Sequence, residues 1–387
     1  MKNVINVVGA RPNFMKIAPI IEAMNRRPDC FRHRLVHTGQ HYDERMSASF
    51  FADLGMPKPD VDLEVGSGSH AEQTARVMIE FEKVCLRDRP DLVVVVGDVN
   101  STMACAITAK KLGIGVAHVE AGLRSRDMAM PEEINRLCTD VLSDYLFTTD
   151  HFASHNLRAE GIAPEKIFFV GNVMIDTLLK HKELARGLTL GRRWALEHRR
   201  FAMLTLHRPS NVDDPATLRG IVAALAELGR DLPVVFPAHP RTRKMIEQFD
   251  LGGYFSKAPQ PDGLWMTEPL GYLELLHLNM QAALVLTDSG GLQEETTALG
   301  VPCITLRRNT ERPITCEVGT NFIAGDNGPA ILRRAARVLR GDLPPAAVPP
   351  KWDGRAAERI ADILSNIPSS HVHPQPELVG ACVQLQS

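Results

Sequence analysis

The chain has 387 residues, 44% hydrophobic and 23% charged, with a formal net charge of -2. That length exceeds one ordinary core, so two domains are the default, and the near-neutral balance leaves no basic excess for a nucleic-acid partner. The seven cysteines are odd in number and contain no CxxC pair, which argues for reduced thiols in a cytoplasm and against a disulfide frame or a zinc site. The N-terminus is too short before its first apolar strand for a signal peptide, and no apolar run approaches a membrane span.

Short Val-rich runs alternate with amphipathic stretches along the chain. In the first half the expected strands are Val4–Val8, Arg34–His37, Leu92–Val96, Val116–Val119, Tyr145–Thr148 and Ile167–Val170. They are continuously apolar, as strands covered on both faces should be. After the first, Phe14, Ile17, Ile20, Ile21 and Met24 recur at helical spacing, with Pro19 expected to bend that helix or mark its early turns. The second half repeats the scheme with Ala202–Leu206, Val234–Phe236, Leu284–Thr287, Cys303–Leu306 and Asn321–Ala324. Residues from about Gly341 to Pro350 read as a connector, Gly354–Ile367 as a helix, and the aperiodic tail from Pro368 as disordered. Two doubly wound α/β halves predict a cleft between them, with the site at strand C-termini.

Polar residues cluster where these strands end. The first runs into Gly9-Ala10-Arg11-Pro12-Asn13-Phe14-Met15-Lys16. This is not GxGxxG, so the dinucleotide fingerprint is missing; Arg11 and Lys16 instead sit near a helix N-terminus that attracts anions. The plain alternative is two solvated cations. Next come Gly97-Asp98, then Glu120-Ala121-Gly122, then Pro131-Glu132-Glu133-Ile134-Asn135-Arg136. Asp98, Glu120 and Glu132 or Glu133 thus emerge on one face, where neighbouring carboxylates suit general acid–base work. A helix cap or a first-turn dipole partner is the competing role for Asp98 and Glu132. In the second half, His207-Arg208 and His239-Pro240-Arg241 end two strands and suit phosphate or carboxylate recognition, a structural turn being the alternative for His239. The strongest local signal is Thr287-Asp288-Ser289-Gly290-Gly291-Leu292-Gln293-Glu294-Glu295. Gly290 and Gly291 let a ligand approach backbone N–H groups that can hold a pyrophosphate, and Glu295 lies one turn inside, placed for a ribose diol. The following loop, Arg307, Arg308, Glu311 and Arg312, has a solvated turn as its bland reading. Together these residues predict a two-domain enzyme with a nucleotide diphosphate on the C-terminal half.

Taken in order, Gly9–Lys16, His37-Thr38-Gly39-Gln40-His41, Gly97-Asp98, His118–Arg124, Pro131–Arg136, His207-Arg208, Thr287–Glu295, Thr310–Pro313 and Trp352-Asp353-Gly354 carry a resemblance. The chain resembles the non-hydrolysing UDP-N-acetylglucosamine 2-epimerases, from Val4 to about Leu364. The resemblance implies a GT-B fold: two Rossmann-like domains, residues 1–175 and 176–350, facing across a cleft, with a helix in 351–367 returning to the first and 368–387 as the tail. It implies that Arg11, His207, Ser289 and Gly290 hold the diphosphate, with Gly291 and His239 beside them, and that Glu295 binds the ribose. Arg312 would approach sugar and phosphate, and Lys16, Asp98, Glu120, Glu132 and Arg136 would surround the sugar.

The implied reaction is reversible epimerisation at C2 of UDP-GlcNAc to UDP-ManNAc through elimination to 2-acetamidoglucal and re-addition of UDP, for surface polysaccharide precursors. It needs no cofactor and no metal; the partners implied are the UDP-sugar and a second copy in a homodimer, with no nucleic acid and no membrane. Three departures stand out. Leu275 replaces a frequent Phe near the uracil, Tyr42-Asp43-Glu44-Arg45 differs from the polar set of substrate-activated members, and His207-Arg208-Pro209-Ser210-Asn211 differs from His-Arg-Arg-Glu-Asn. The alternatives are a 2-epimerase for UDP-2,3-diacetamido glucuronate, a hydrolysing 2-epimerase, a GT-B glycosyltransferase and an inactive nucleotide-sugar sensor.

Overall fold

Valine-rich runs become buried parallel strands in this chain. The computed structural model describes residues 1–39, 58–196 and 200–367, and of Arg11 only the backbone. The motif residues Gln40 to Arg45, the side chain of Arg11 and the tail from Pro368 lie outside the described residues. The first sheet holds β1 (Lys2–Val8), β2 (Phe31–His37), β3 (Val61–Asp62), β4 (Leu92–Val96), β5 (Gly115–Val119), β6 (Tyr145–Thr148) and β7 (Ile167–Phe169). Their spatial order is β3-β2-β1-β4-β5-β6-β7, all parallel. The second holds β8 (Ala202–Thr205), β9 (Val234–Pro237), β10 (Phe255–Ser256), β11 (Leu264–Thr267), β12 (Leu284–Thr287), β13 (Cys303–Thr305) and β14 (Asn321–Ile323). Its order, β10-β11-β9-β8-β12-β13-β14, is parallel throughout. Strand order reverses between β1 and β4 in one sheet and between β8 and β12 in the other. Those are the switch points where α/β sheets bind ligands.

Twelve helices of nine residues or more cover the sheets among the described residues: α1 (Arg11–Asn25), α2 (His70–Asp88), α3 (Asn100–Lys111), α4 (Pro131–Leu142), α5 (His151–Ala159), α6 (Val173–Arg186), α7 (Pro215–Gly229), α8 (Pro240–Gln248), α9 (Tyr272–Gln281), α10 (Gly290–Leu299), α11 (Gly328–Leu339) and α12 (Ala356–Asn366). Pro19 lies inside α1, well past its early turns. A proline leaves the carbonyl one turn back without its helical donor. Here Met15 O accepts a bond from Thr177 Oγ1 of α6 at 2.5 Å instead.

One apolar cluster joins the two halves. Ile17, Ile20, Ile21 and Met24 of α1 belong to the same buried group as Val173, Met174 and Leu178 of α6, Tyr272 and Leu276 of α9, and Ala357, Ile360 and Leu364 of α12. The last helix therefore packs on the first-sheet lobe, opposite its place in the sequence. Its N-terminal amides, Ala356 N and Ala357 N, donate to Asp176 at 3.1 and 2.7 Å, and Lys2 Nζ donates to Leu364 O at 2.6 Å. The chain reaches it through Lys351, whose Nζ donates to Phe169 O at 2.7 Å, and Trp352, whose Nε1 donates to Thr149 O at 3.0 Å.

Gly171 sits under this return, with φ +94°. A Cβ there would lie 2.1 Å from the Lys351 carbonyl oxygen, a backbone atom that cannot swing aside. Gly171→Ala is expected to cost about 2 kcal/mol or more, through both the φ and the clash. Thermal denaturation measures it; an unchanged midpoint would mean that the return segment shifts at no cost.

Candidate active site

Strand ends from both sheets converge on one set of buried charges. Gly97, just after β4, has φ +68°, and a Cβ there would stand 2.8 Å from Lys16 Nζ. Glycine thus lets Lys16 of α1 pass close over the β4 turn. Lys16 Nζ donates to Glu120 Oε2 at 2.5 Å. Glu120 follows β5 at φ +68°, a conformation costly for a residue with a side chain and held only where surroundings enforce it. Its other oxygen, Oε1, is buried without a hydrogen-bond partner among the described residues.

Asp98 lies on the neighbouring turn and pairs with Arg136 Nη1 of α4 at 2.6 Å. It does not cap α3, whose N-cap is Val99. Burial pushes the Asp98 carboxyl up, but Arg136, Lys16 and Arg312 outweigh that and hold it below its usual range. Asp98 is therefore ionised near neutrality while its side chain stays 25% exposed. Of the two glutamates opening α4, Glu133 is the structural one: it accepts from Ser125 N, Arg126 N and Arg136. Glu132 faces the other lobe, where Arg208 Nη1 reaches it at 3.0 Å.

The second lobe supplies the answering groups. Asp288, fully buried after β12, accepts from His207 N, Arg208 N and Asn211 Nδ2, and lies 3.0 Å from His207 Nδ1. This fixes the His207 ring by one nitrogen and leaves Nε2 uncommitted to that pairing. Ser289 occupies the N-cap of α10, yet its hydroxyl does not cap the helix. The Ser289 hydroxyl and the helix-end amides thus meet the chemistry an anion requires. The space a Cβ would need at Gly290 is taken by Arg312 Nη1 at 2.5 Å.

Arg312 is the hub. It pairs with Glu294 through Nε at 2.9 Å and with Glu311 through Nη1 at 2.7 Å, and its Nη2 lies 4.0 Å from Glu120 Oε2 across the cleft. The loop from Arg307 to Arg312 is largely not a solvated turn: Arg307, Glu311 and Arg312 are buried, and only Arg308 is exposed. Burial pushes Glu294 up to about 7, against the pull of Arg312 and with a further push from Glu120. Glu295 is pushed up to about 8 by burial and by Glu294, with the Tyr272 hydroxyl holding it back.

The expected residues fall into two groups. Lys16, Asp98, Glu120, Glu132, Arg136, His207, Ser289, Gly290 and Arg312 stand in or beside one network of ion pairs. His239 instead caps α8, its ring accepting from Arg241 N at 3.3 Å, on the strand next to β8. Leu275 is partly buried against the cluster of Phe201, Trp265 and Leu278. Gly291 lies in the first turn of α10, near Met174. The residue-by-residue reading overlooked Asp288 and Glu294 as functional groups, and had Arg208 recognising a phosphate or carboxylate, where it meets the Glu132 carboxylate. Asp288 and Glu294 stand in the Thr287–Glu295 run, but their burial comes from packing that no local pattern carries. Among the described residues, no group of three or more His, Cys, Asp or Glu side chains is arranged to hold a metal, and no helix is long and apolar enough to cross a membrane.

These proton affinities set a pH dependence. In the folded chain Glu294 and Glu295 keep protons up to about 7 and 8, whereas their ordinary value is 4.5. The native state therefore binds more protons than the unfolded one above the ordinary carboxylate range, and stability falls as pH rises there. Asp98 and Glu311, held low, act with the opposite sign and only below that range. The melting temperature should drop from about pH 6 to about pH 8.5, with a flatter slope in Glu295→Gln. A slope equal in the two proteins would remove Glu295 as a source.

Comparison with known proteins gives a consistent answer. Residues 22–365 match the family model described as UDP-N-acetylglucosamine 2-epimerase. The chain is 44% identical over 364 residues to a UDP-N-acetylglucosamine 2-epimerase of Methanocaldococcus jannaschii, covering 93% of this chain and 98% of the relative. It is 40% identical to a UDP-2,3-diacetamido-2,3-dideoxy-D-glucuronate 2-epimerase of Pseudomonas aeruginosa, over 94% of this chain and 99% of that one. A crystal structure of the Methanocaldococcus jannaschii UDP-GlcNAc 2-epimerase in complex with UDP-GlcNAc and UDP superposes with a TM-score of 0.86 at 44% identity, covering 94% of this chain and 99% of that one.

Proposed function

The chain belongs to the UDP-N-acetylglucosamine 2-epimerase family and is an epimerase, and we propose that it interconverts UDP-GlcNAc and UDP-ManNAc by elimination and re-addition of UDP. The observation that carries this reading is the set of carboxylates at the first-sheet switch point facing an anion-ready helix end at the second. A base takes the C2 proton as the C1–O bond to the diphosphate breaks, leaving a C1–C2 double bond and UDP. A second group then delivers a different proton, drawn from solvent, to the other face of C2 as UDP re-forms its bond to C1, and the first carrier gives its proton up to water. The glucal rotates or is repositioned between the two proton transfers, and separate groups would serve the two faces.

Asp98 and Glu120 follow adjacent strands and suit those places, with Glu132 assisting. Asp98 is ionised, as a base must be. Glu120 keeps one oxygen without a hydrogen-bond partner among the described residues. Lys16 Nζ donates to the other. Arg136 orients Asp98. Ser289, the α10 amides, Gly291 and His207 Nε2 would hold the diphosphate, together with Arg11 and Arg312. Loss of one such preorganised donor costs roughly 100- to 1000-fold in rate. Glu295, protonated near neutrality, would both donate to and accept from the ribose hydroxyls, with Leu275 on the apolar side of the base.

The glucuronate relative makes a second substrate reasonable. One observation weighs against it. Lys16, Arg136, Arg208, Arg307 and Arg312 are each already paired with a carboxylate. A sugar carboxylate would compete with those pairs, whereas a neutral sugar would not. The test is incubation with UDP-GlcNAc in D2O, followed at C2 by NMR, with the diacetamido glucuronate substrate in parallel. Deuterium at C2 with UDP attached is expected for UDP-GlcNAc. Release of free sugar and UDP would indicate hydrolysis instead, and no exchange would overturn the reading. Asp98→Asn should slow exchange by roughly 100-fold or more while UDP affinity stays within a few fold.

We also propose a homodimer built on α2 and α4. Ile79 and Leu86, seven residues apart on α2, are 56% and 54% exposed; Ile134 and Val141, seven apart on α4, are 43% and 66% exposed. Such pairs lie along one helix face and gain by burial. Sedimentation should give twice the chain mass, falling to one chain in Ile134→Asp with Val141→Asp; a monomeric parent would refute it.

A further inference from the structure

We propose that His118 and Asp140 form a buried positioning pair whose imidazole donates from both ring nitrogens and ties together the three segments carrying Asp98, Glu120 and Glu132. His118 is fully buried on β5, beside Val95 of β4 in the sheet. Its Nδ1 lies 2.6 Å from Asp140 Oδ1 and its Nε2 lies 2.8 Å from Gly97 O. A carboxylate and a peptide carbonyl both only accept. Both ring nitrogens must therefore carry hydrogens, and the ring is a cation.

The surroundings balance that charge. Asp140 also accepts from Gly122 N at 3.0 Å and pairs with Arg124 Nη1 at 2.7 Å, and Arg124 in turn pairs with Glu160 at 2.5 Å. Two cations thus face two carboxylates. Burial pushes the Asp140 carboxyl up, but His118 and Arg124 bring it below its usual range, so it is an acceptor throughout.

Each bond fastens a different segment. Gly97 O belongs to the peptide that leads into Asp98. Gly122 N closes the turn that begins at Glu120, and this bond supports the left-handed φ there. Asp140 itself stands on α4, which carries Glu132 and Arg136. Neither member of the pair is among the groups placed around the sugar, so both are positioning residues, not catalytic ones. A buried charge pair is a poor source of stability compared with apolar packing. What this one adds is fixed geometry, and a displacement of about 1 Å at a reacting group can cost a hundredfold in rate.

The proposal rests on the reading of those carboxylates as the proton-handling groups. The first test does not. In the full 15N-labelled chain at about pH 7.5, with the His118 ring assigned through bonds to its own backbone, both ring nitrogens should show attached protons. A ring with one proton would overturn the pair. In the second test, Asp140→Asn should lower C2 exchange of UDP-GlcNAc roughly 10- to 100-fold with UDP affinity within about threefold of the parent. Unchanged exchange, or exchange and UDP affinity falling together, would also overturn it, the latter because general loosening explains it. The ring measurement needs no variant and decides alone if Asp140→Asn does not fold. Doubly protonated His118 in a chain that exchanges no UDP-sugar would leave the pair standing and sink the epimerase reading instead.

Discussion

Arg312 carries a charge that never titrates and is buried at the floor of the cleft. Water does not solvate it there, so carboxylates must. Glu294 and Glu311 come from its own lobe, and Glu120 comes from the other. Glu120 is itself held by Lys16, which passes close over the Gly97 turn. The chain of charges from Lys16 to Glu311 is therefore one electrostatic unit shared by two sheets. Removing one member of such a buried pair strands its partner at a cost of roughly 3–5 kcal/mol. In the proposed reaction Arg312 would be the desolvated, oriented cation of that unit that answers the leaving diphosphate.

The sheets explain why these groups meet. Each reverses its strand order once, and the loops at the reversal diverge to leave a crevice. Asp98, Glu120 and the turn before α1 border the crevice of the first sheet. His207, Asp288 and Ser289 border that of the second. The apolar cluster of α1, α6, α9 and α12 holds the two crevices together. Arg208 with Glu132 is a second polar link between the lobes, more exposed than the Arg312 hub and worth correspondingly less.

Much of this was legible in the sequence. Leu92–Val96, Tyr145–Thr148 and Leu284–Thr287 stand where their apolar runs put them, because a strand covered on both faces is mostly apolar and reads as a continuous run. Three strands escaped. Val61–Asp62 and Phe255–Ser256 are two-residue edges with no pattern to read, and Leu264–Thr267 hides behind a loop of glycine and proline. At the site, the strand-end positions of Asp98, Glu120 and Ser289 were readable because polar residues directly after Val-rich runs are conspicuous. Glu294 was not, since a glutamate on an amphipathic helix ordinarily faces solvent, and only the approach of Arg312 from a loop eighteen residues later explains its burial. The division of labour between Glu132 and Glu133 was equally hidden. It turns on which neighbour the next lobe presents.

The docking of α12 on α1 bears on how the protein is made. During synthesis the first-sheet lobe leaves the ribosome long before the helix that covers Ile17, Ile20, Ile21 and Met24. Until some 350 residues have followed the start, that face of α1 has no lid from α12, so the first lobe completes its interior only after the second has been translated. A ribosome that stalls between the two would leave a nascent chain with a sticky flank, the kind of surface that trigger-type chaperones hold.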